Sequence, residues 1–120
     1  RWGMVFHDGD WQKARIPQMA MQFCNPPIAI IEANHPGRLS QEHSFASMEC
    51  GSSLLTVLKQ AEDNDGLIIR AYEYAGQKDP ARIRLARKDI KMDMGCYEIQ
   101  SIRVNQHPSK TDILETADQL

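Results

Sequence analysis

The strongest constraint on the fold is a hairpin pattern in the middle of the chain, where two β-prone stretches flank an acidic turn. Residues 54–61 and 67–74 are rich in branched and aromatic side chains, which strands favour. Between them, residues 62–66 read Glu-Asp-Asn-Asp-Gly, and an Asp-Gly step lets the backbone reverse. By composition alone residues 54–61 also fit a helix, but the adjoining turn and strand favour a β-hairpin.

Two further stretches of the second half alternate with period two. In residues 81–85 the odd-numbered positions are apolar and the even-numbered ones are arginine, which indicates a strand with one buried and one solvated face. Pro80 is expected directly before this strand, where no ladder donor is lost. Residues 96–104 alternate with a change of phase, for which we expect a β-bulge. Turns at this spacing are typical of an antiparallel sandwich.

The first half of the chain is less regular. Residues 2–6 and 28–32 are predicted to be strands, and residues 33–37 to be a loop. Between the strands, four apolar side chains follow helical spacing and Pro17 fits a first helical turn; the four are Ile16, Met19, Ala20 and Phe23. Either one short helix or an irregular connection is expected there. The predicted fold class is all-β, an antiparallel β-sandwich with room for one short helix, and residues 1–120 are interpreted as a single domain.

Composition narrows the class of protein. The net charge of -2 and the isoelectric point near 6.1 give no electrostatic reason to expect nucleic acid or an anionic membrane as a partner. No apolar run approaches the ~20 residues that span a bilayer. The three cysteines are few, odd in number and far apart, so we expect small, partly buried free thiols and a reducing, cytoplasmic location. Because the chain opens on Arg1, we expect a fragment of a longer protein.

Motifs that carry chemistry are absent from the sequence. The four histidines have no metal-binding spacing. The stretch 63–66 resembles part of a calcium loop, but the first ligand position falls on Ala61, so a plain turn is favoured. Asp8 and Asp10 are a loop pair two residues apart rather than two carboxyls across a cleft. We therefore predict neither a catalytic residue nor a metal site in this chain.

A family resemblance adds to this reading. Residues 55–73 read Leu-Thr-Val-Leu-Lys-Gln-Ala-Glu-Asp-Asn-Asp-Gly-Leu-Ile-Ile-Arg-Ala-Tyr-Glu. This resembles the C-terminal domain of glycoside hydrolase family 38, where Lys-Lys-Ala-Glu-Asp leads through an acidic turn into Leu-Ile-Val-Arg-Leu-Tyr-Glu. Other segments resemble family segments in the same order, although Phe6 stands where proline is usual; these are residues 7–11, 25–27, 44–45, 97–104 and 111–115.

The resemblance implies a multidomain α-mannosidase. In that family a catalytic domain holds a zinc ion and a nucleophilic aspartate, a helical bundle follows, and β-sandwich domains come after it. Hydrolysis proceeds with retention through a covalent glycosyl-enzyme. No catalytic residue carries over to this chain, which alone is expected to be inactive. The expected partners are the catalytic and helical domains of the parent chain, with zinc in the missing catalytic domain and an α-mannoside as the parent's substrate.

The predicted role is structural support of the catalytic domain. We predict an interdomain contact at the loop of His7, Asp10 and Trp11, in which Trp11 supplies buried area and the other two side chains supply polar contacts. The alternative for this loop is a turn stabilised within the sandwich. An alternative function is an independent carbohydrate-binding β-sandwich module, and a third is catalysis within the fragment itself.

Overall fold

The computed structural model describes residues 2–116, and the chain divides into two compact units at the boundary between His43 and Ser44. The first unit contains the helix α1, Ile16–Cys24, which begins with proline in its first turn. This confirms the helix predicted from apolar spacing. None of the residues of α1 is buried.

The two strands predicted in the first unit are wrong. Residues 2–6 and 28–32 have no regular secondary structure, and their large apolar side chains are exposed. The physical reason is that a strand needs a neighbour for its N–H and C=O groups, and the described part of this unit contains no strand that could serve. High β-propensity alone does not form a sheet.

The second unit is a sandwich of two antiparallel sheets. Its described residues form seven strands: β1 Ala46–Glu49, β2 Ser53–Gln60, β3 Leu67–Glu73, β4 Asp79–Leu85, β5 Lys88–Met94, β6 Ile99–Val104 and β7 Pro108–Thr111. One sheet has the order β1-β4-β5 and the other β2-β3-β6-β7. Every pair is antiparallel. The predicted antiparallel β-sandwich with one short helix is confirmed.

The central hairpin forms where it was predicted. β2 and β3 pair along their length, and the turn is closed by a hydrogen bond from the Ala61 N–H to the Gly66 carbonyl at 3.0 Å. Gly66 has a φ of 96°, and a Cβ there would lie 2.6 Å from the Val104 carbonyl oxygen. The turn therefore requires glycine both for its backbone conformation and for the close approach of β6.

The position of Pro80 differs from the prediction. Pro80 is the second residue of β4 and lies opposite Asp93 of β5. It is tolerated there because β1 pairs with β4 only from Arg82 onward. On that side of β4, Pro80 has no neighbouring strand that would need its missing N–H.

The bulge lies in another strand than predicted. β6 pairs with β3 without any register shift, whereas the pairing of β2 skips one residue between Leu55 and Val57. The change of phase in residues 96–104 has a different cause: Ile99 is exposed on the outer face of the sheet, whereas Ile102 and Val104 lie on the inner face in the core. Tyr97 precedes β6 with a φ of 55°. Because Tyr97 is in a left-handed turn, it shares no strand face with Ile99.

The core lies between the two sheets. In the three-stranded sheet, inward-facing apolar side chains alternate with outward-facing polar ones, as in β4, where alternate residues from Ala81 to Leu85 are buried. The buried cluster consists of Ile69, Ala71, Ala81, Ile83, Leu85, Ile90, Met92, Met94, Ile102 and Val104. Among the described residues, no helix is long and apolar enough to span a membrane.

Candidate functional site

The loop predicted as an interdomain contact lies in the first unit, just before α1. The Asp10 carboxylate accepts the Lys13 N–H at 2.7 Å, and the Asp10 carbonyl accepts the Ala14 N–H at 3.0 Å. Asp10 thus stabilises the turn that leads into the helix. His7 and Trp11 are in the same loop and are exposed. The local role of Asp10 fits the alternative of a turn, and the interdomain contact stays a prediction.

The most enclosed polar group of the sandwich is the carboxylate of Glu73, at the end of β3. Glu73 is fully buried. One of its oxygens accepts the Ala75 N–H, and the other accepts the N–H groups of Gly76 and Tyr97, each at 2.8 Å. We call these four residues the Glu73 brace. The brace joins the loop after β3 to the turn before β6. Its donor Ala75 is 2 residues from Glu73, in the loop, and its donor Tyr97 is 24 residues away, in the turn.

The surroundings of Glu73 determine the protonation state of its carboxyl group. Burial alone would raise the pKa of Glu73, since desolvation disfavours the charge. The hydrogen bonds from the Tyr97 N–H, the Ser52 hydroxyl and the Ala75 N–H outweigh that effect and lower the pKa to about 2. Glu73 is therefore an anion at neutral pH with its acceptor sites occupied. A group in this state neither donates a proton nor takes one up in a reaction at neutral pH.

Two more carboxylates bind backbone N–H groups at the same end of the sandwich. Asp79 accepts the N–H groups of Gly51 and Ser52 at 2.6 and 2.7 Å. Glu98 accepts the Gly95 N–H at 2.6 Å, and this bond is the main reason why the pKa of Glu98 is lowered. Asp79 and Glu98 line one pocket at this end of the sandwich. Because each of the three acids accepts backbone N–H groups, together they order three loops.

The brace also places one exposed aromatic ring. Tyr97 has a positive φ, which is uncommon for a bulky side chain. Its ring covers Gly76 so closely that a Cβ there would lie 2.6 Å from the phenol oxygen. Glu73 binds the backbone N–H of both residues. The ring thus lies over Gly76, although Tyr97 as a residue is largely exposed to solvent.

A second polar cluster holds the segment 112–116 against the outer face of the four-stranded sheet. We call this cluster the C-terminal clamp; it consists of Lys59, Arg70, Arg103 and Glu115. Lys59 lies 2.6 Å from the Glu115 carboxylate, which also accepts the Glu62 N–H at 2.9 Å. The lysine ammonium lowers the pKa of Glu115, and Glu115 in turn raises the pKa of Lys59. The acid is thus charged and bound.

The two arginines of the clamp bind backbone carbonyls of the segment. Arg70 donates to the Ser101 hydroxyl at 2.9 Å and to the Ile113 carbonyl at 3.0 Å. Arg103 donates to the Glu115 carbonyl at 2.8 Å and to the Asp63 carboxylate at 2.7 Å. Arg70 therefore has a structural role, with the Ser101 hydroxyl and the Ile113 carbonyl as its partners.

The chain's thiols and acids offer no metal centre in the part that the structure describes. Cys24, Cys50 and Cys96 are not joined by disulfides, and the first and last of them are exposed where partial burial was expected. Among residues 2–116 no group of three or more histidine, cysteine, aspartate or glutamate side chains is arranged to hold a metal ion. The family resemblance implies zinc in the missing catalytic domain, and no zinc chemistry is assigned to the described residues.

The comparison with protein families identifies the sandwich. The family described as the glycosyl hydrolases family 38 C-terminal beta sandwich domain matches residues 53–119, which is more than half of the chain. The match begins at β2 and includes the Glu73 brace and the C-terminal clamp, while the loop of His7 to Trp11 lies before it. No curated protein and no solved structure gives a significant match. The chain therefore belongs to glycoside hydrolase family 38 and carries its C-terminal β-sandwich domain.

Proposed function

We propose that this chain is the non-catalytic C-terminal domain of an α-mannosidase, and that it supports the catalytic domain structurally. The parent enzyme hydrolyses α-mannosidic bonds with retention in a separate catalytic domain that holds zinc. The observation that carries the proposal is the family match over the sandwich. The partners are the catalytic and helical domains of the same chain, and the compartment is the cytoplasm.

The bonding of the acids supports a structural role. Glu73, Asp79 and Glu98 each accept backbone N–H groups of loops, and Glu115 is bound by Lys59. Acids in such positions order the chain around them, whereas a glycosidase needs one carboxyl with a raised pKa and a second one that can attack or activate water. The pKa of Glu73, Glu98 and Glu115 is lowered instead, and Asp79 is bound to two backbone N–H groups.

Exposed apolar side chains of the first unit support a contact with a domain outside this chain. Its helix α1 buries none of its residues, and the indole of Trp11 is exposed. Exposed apolar side chains in this number are typical of a surface that another domain covers. We propose that the loop of His7, Asp10 and Trp11 belongs to such an interdomain contact.

Two measurements on the 120-residue chain test the proposal. Incubation with an aryl α-mannoside, with and without added zinc, is expected to give no turnover. Titration with mannose and mannobiose is expected to give no heat of binding. Turnover would place catalysis in this chain, and saturable binding would favour an independent carbohydrate-binding module instead.

A third measurement uses the full-length parent enzyme and tests the supporting role. Trp11→Ala is expected to lower its thermal midpoint and its rate on an α-mannoside, because the contact loses its largest apolar side chain. His107→Ala, at an exposed histidine of the sandwich, is the control and should change neither. Unchanged stability and rate in the Trp11 variant would remove the proposed contact.

A further inference from the structure

The two sheets of the sandwich differ in their number of strands, and β5 of the smaller sheet has a free edge. β5 pairs with β4 on one side and with no other strand among the described residues. Its pairing with β4 runs through all seven of its residues without a register shift, whereas β1, at the opposite edge, has only four residues. A regular strand edge without a neighbour presents unpaired N–H and C=O groups. Such an edge can accept an extended peptide as a further strand.

The hairpin of β4 and β5 determines which backbone groups point to the free side of β5. Its turn has two residues, so Leu85 and Lys88 close it as a hydrogen-bonded pair. Hydrogen-bonded and non-bonded pairs alternate along the ladder, which makes Pro80 and Asp93 a non-bonded pair, as the missing N–H of proline requires. The N–H and C=O groups that point away from β4 are therefore those of Asp89, Lys91 and Asp93. We call the backbone of these three residues the β5 edge.

A groove of about 430 Å³ opens beside the β5 edge. Residues of β6 and β7 line its other side, among them Ile102, Pro108 and Lys110, so the larger sheet continues beyond β5. The groove thus has the position of a fourth strand in the smaller sheet. A second sandwich that paired its own β5 here would bring its own β7 to the same place, because the contact of two identical edges is symmetric. The groove therefore favours one extended segment over a second copy.

The exposed side chains of β5 indicate which segment fits. Asp89, Lys91 and Asp93 share the outer face of the sheet and alternate in charge. Side chains directly opposite each other on paired strands share a face, and opposite charges there stabilise the pair. Asp89 is already bound by Arg84 at 3.3 Å, so Lys91 and Asp93 are the main charged positions. The residues between them in an added strand point into the groove, where small apolar side chains fit beside Ile102.

We propose that the β5 edge binds an extended peptide segment of a separate protein as a fourth strand of the smaller sheet. The segment carries a base, an acid and a base at alternate positions, with small apolar residues between them. The backbone groups of Asp89, Lys91 and Asp93 supply the affinity, and their side chains supply the selectivity. This binding site goes beyond the proposed function and does not depend on the reaction of the parent enzyme.

Three forms of one peptide test the strand pairing by fluorescence anisotropy with the 120-residue chain. The probe is fluorescein-Ser-Lys-Val-Glu-Val-Lys-Ser-amide, which should bind saturably. N-methyl groups on its glutamate and second lysine should weaken binding about tenfold, because two N–H donors that face β5 are lost. N-methyl groups on its two valines should change little, because those N–H groups point away from β5. Equal binding of the two methylated peptides, or no binding of the unmodified one, would overturn the proposal.

A charge reversal tests the selectivity. Lys91→Glu should weaken binding of the probe about threefold, and a probe with lysine in place of its glutamate should restore it. Arg82→Glu is the matched control, since it makes the same change of charge at an exposed position one strand farther from the groove. Equal losses in the two variants would show that the peptide responds only to net charge, which would contradict a specific register at Lys91.

Amide hydrogen exchange identifies what occupies the β5 edge. In the full-length parent enzyme, the N–H groups of Asp89, Lys91 and Asp93 should exchange fast without the probe and at least tenfold more slowly when it is bound. Slow exchange in the parent without the probe would overturn the proposal, because a segment of the parent would already cover the edge. Exchange that slows with concentration in the 120-residue chain would also overturn it, in favour of a second copy. Neither result would affect the supporting role proposed for the domain.

Discussion

Glu73 and Glu115 are both buried carboxylates of one sandwich, but they are bound by different kinds of donor. Glu73 accepts three backbone N–H groups from two loops. Glu115 is bound by the flexible ammonium of Lys59 and by one backbone N–H. The first arrangement depends on how the loops fold, and the second depends on a long side chain that stays partly in water.

This difference separates two ways of ordering a loop. Backbone N–H donors are fixed in direction and lie in a dry site, so their bonds to a carboxylate are strong and little affected by salt. A partly solvated ion pair is weakened by screening and by the entropy of the lysine chain. Loss of the Glu73 brace should therefore lower the free energy of unfolding of the sandwich more than loss of the C-terminal clamp.

The largest effect is expected from Glu73→Ala. The change leaves three N–H groups without their acceptor in a buried site, and it should lower the free energy of unfolding by about 3 kcal/mol. Urea denaturation of the 120-residue chain measures this loss. Glu49→Ala, at an exposed glutamate of β1, is the control and should change little. A loss for Glu73→Ala no larger than that of the control would contradict the dominant role of the brace.

A smaller loss in the free energy of unfolding is expected when the pH is lowered. The pKa of Glu73 is lowered from an ordinary value of 4.5 to about 2, so its contribution is complete above pH 4.5 and decreases as the pH falls toward 2. The free energy of unfolding of the wild-type chain should therefore drop across this window. Glu73→Gln cannot titrate there, and its stability should fall less steeply. Parallel curves for the two proteins would show that other acids dominate the window.

Asp79→Ala should have a more modest effect. Asp79 uses one oxygen for the N–H groups of Gly51 and Ser52, and the Gly51 bond lies at an exposed position where water can replace the acceptor. The expected loss in the free energy of unfolding is about 1 kcal/mol. Urea denaturation beside Asp93→Ala, an exposed aspartate of β5, would measure it. A loss equal to that of Glu73→Ala would show that a carboxylate bonded at an exposed position stabilises the fold as much as the buried carboxylate of Glu73.

The smallest and most salt-dependent effect is expected from the clamp. Lys59→Met removes the ammonium that binds Glu115 and should lower the urea midpoint slightly at low salt. The loss should shrink as sodium chloride is raised, because screening weakens the ion pair already in the wild type. Lys91→Met, on an exposed lysine of β5, is the control. A loss that is independent of salt would mean that the clamp acts through packing of the lysine stem.

Local patterns of sequence were enough for the hairpin, the helix and the fold class, but not for every strand. β5 alternates as clearly as β4, yet it was not predicted because the turn between them has no glycine or asparagine signal. Ala86 takes the positive φ of 52° at that turn. The prediction for residues 28–32 failed in the opposite way, since their composition favours a strand, but the described residues of the first unit contain no strand to pair with.

The hydrogen bonds of the Glu73 brace could not have been predicted from the sequence. Glu73 lay within the strand predicted for residues 67–74, but its donor Tyr97 lies 24 residues away. Tyr97 contributes a backbone N–H, which every residue type except proline has. No side-chain pattern records such a bond. The predicted contact of His7, Asp10 and Trp11 has a local signal at Asp10, which explains a turn, whereas any contact with another domain depends on residues outside this chain.

The bulge at Thr56 has a consequence for aggregation. β2 is an edge strand of eight residues, and long regular edges invite pairing between molecules. The register shift between Leu55 and Val57 interrupts the row of backbone groups, and the Thr56 hydroxyl donates to the Arg70 carbonyl at 3.1 Å. At the opposite edge, β7 begins with a proline. Each edge of this sheet thus carries an irregularity that hinders growth into a fibril.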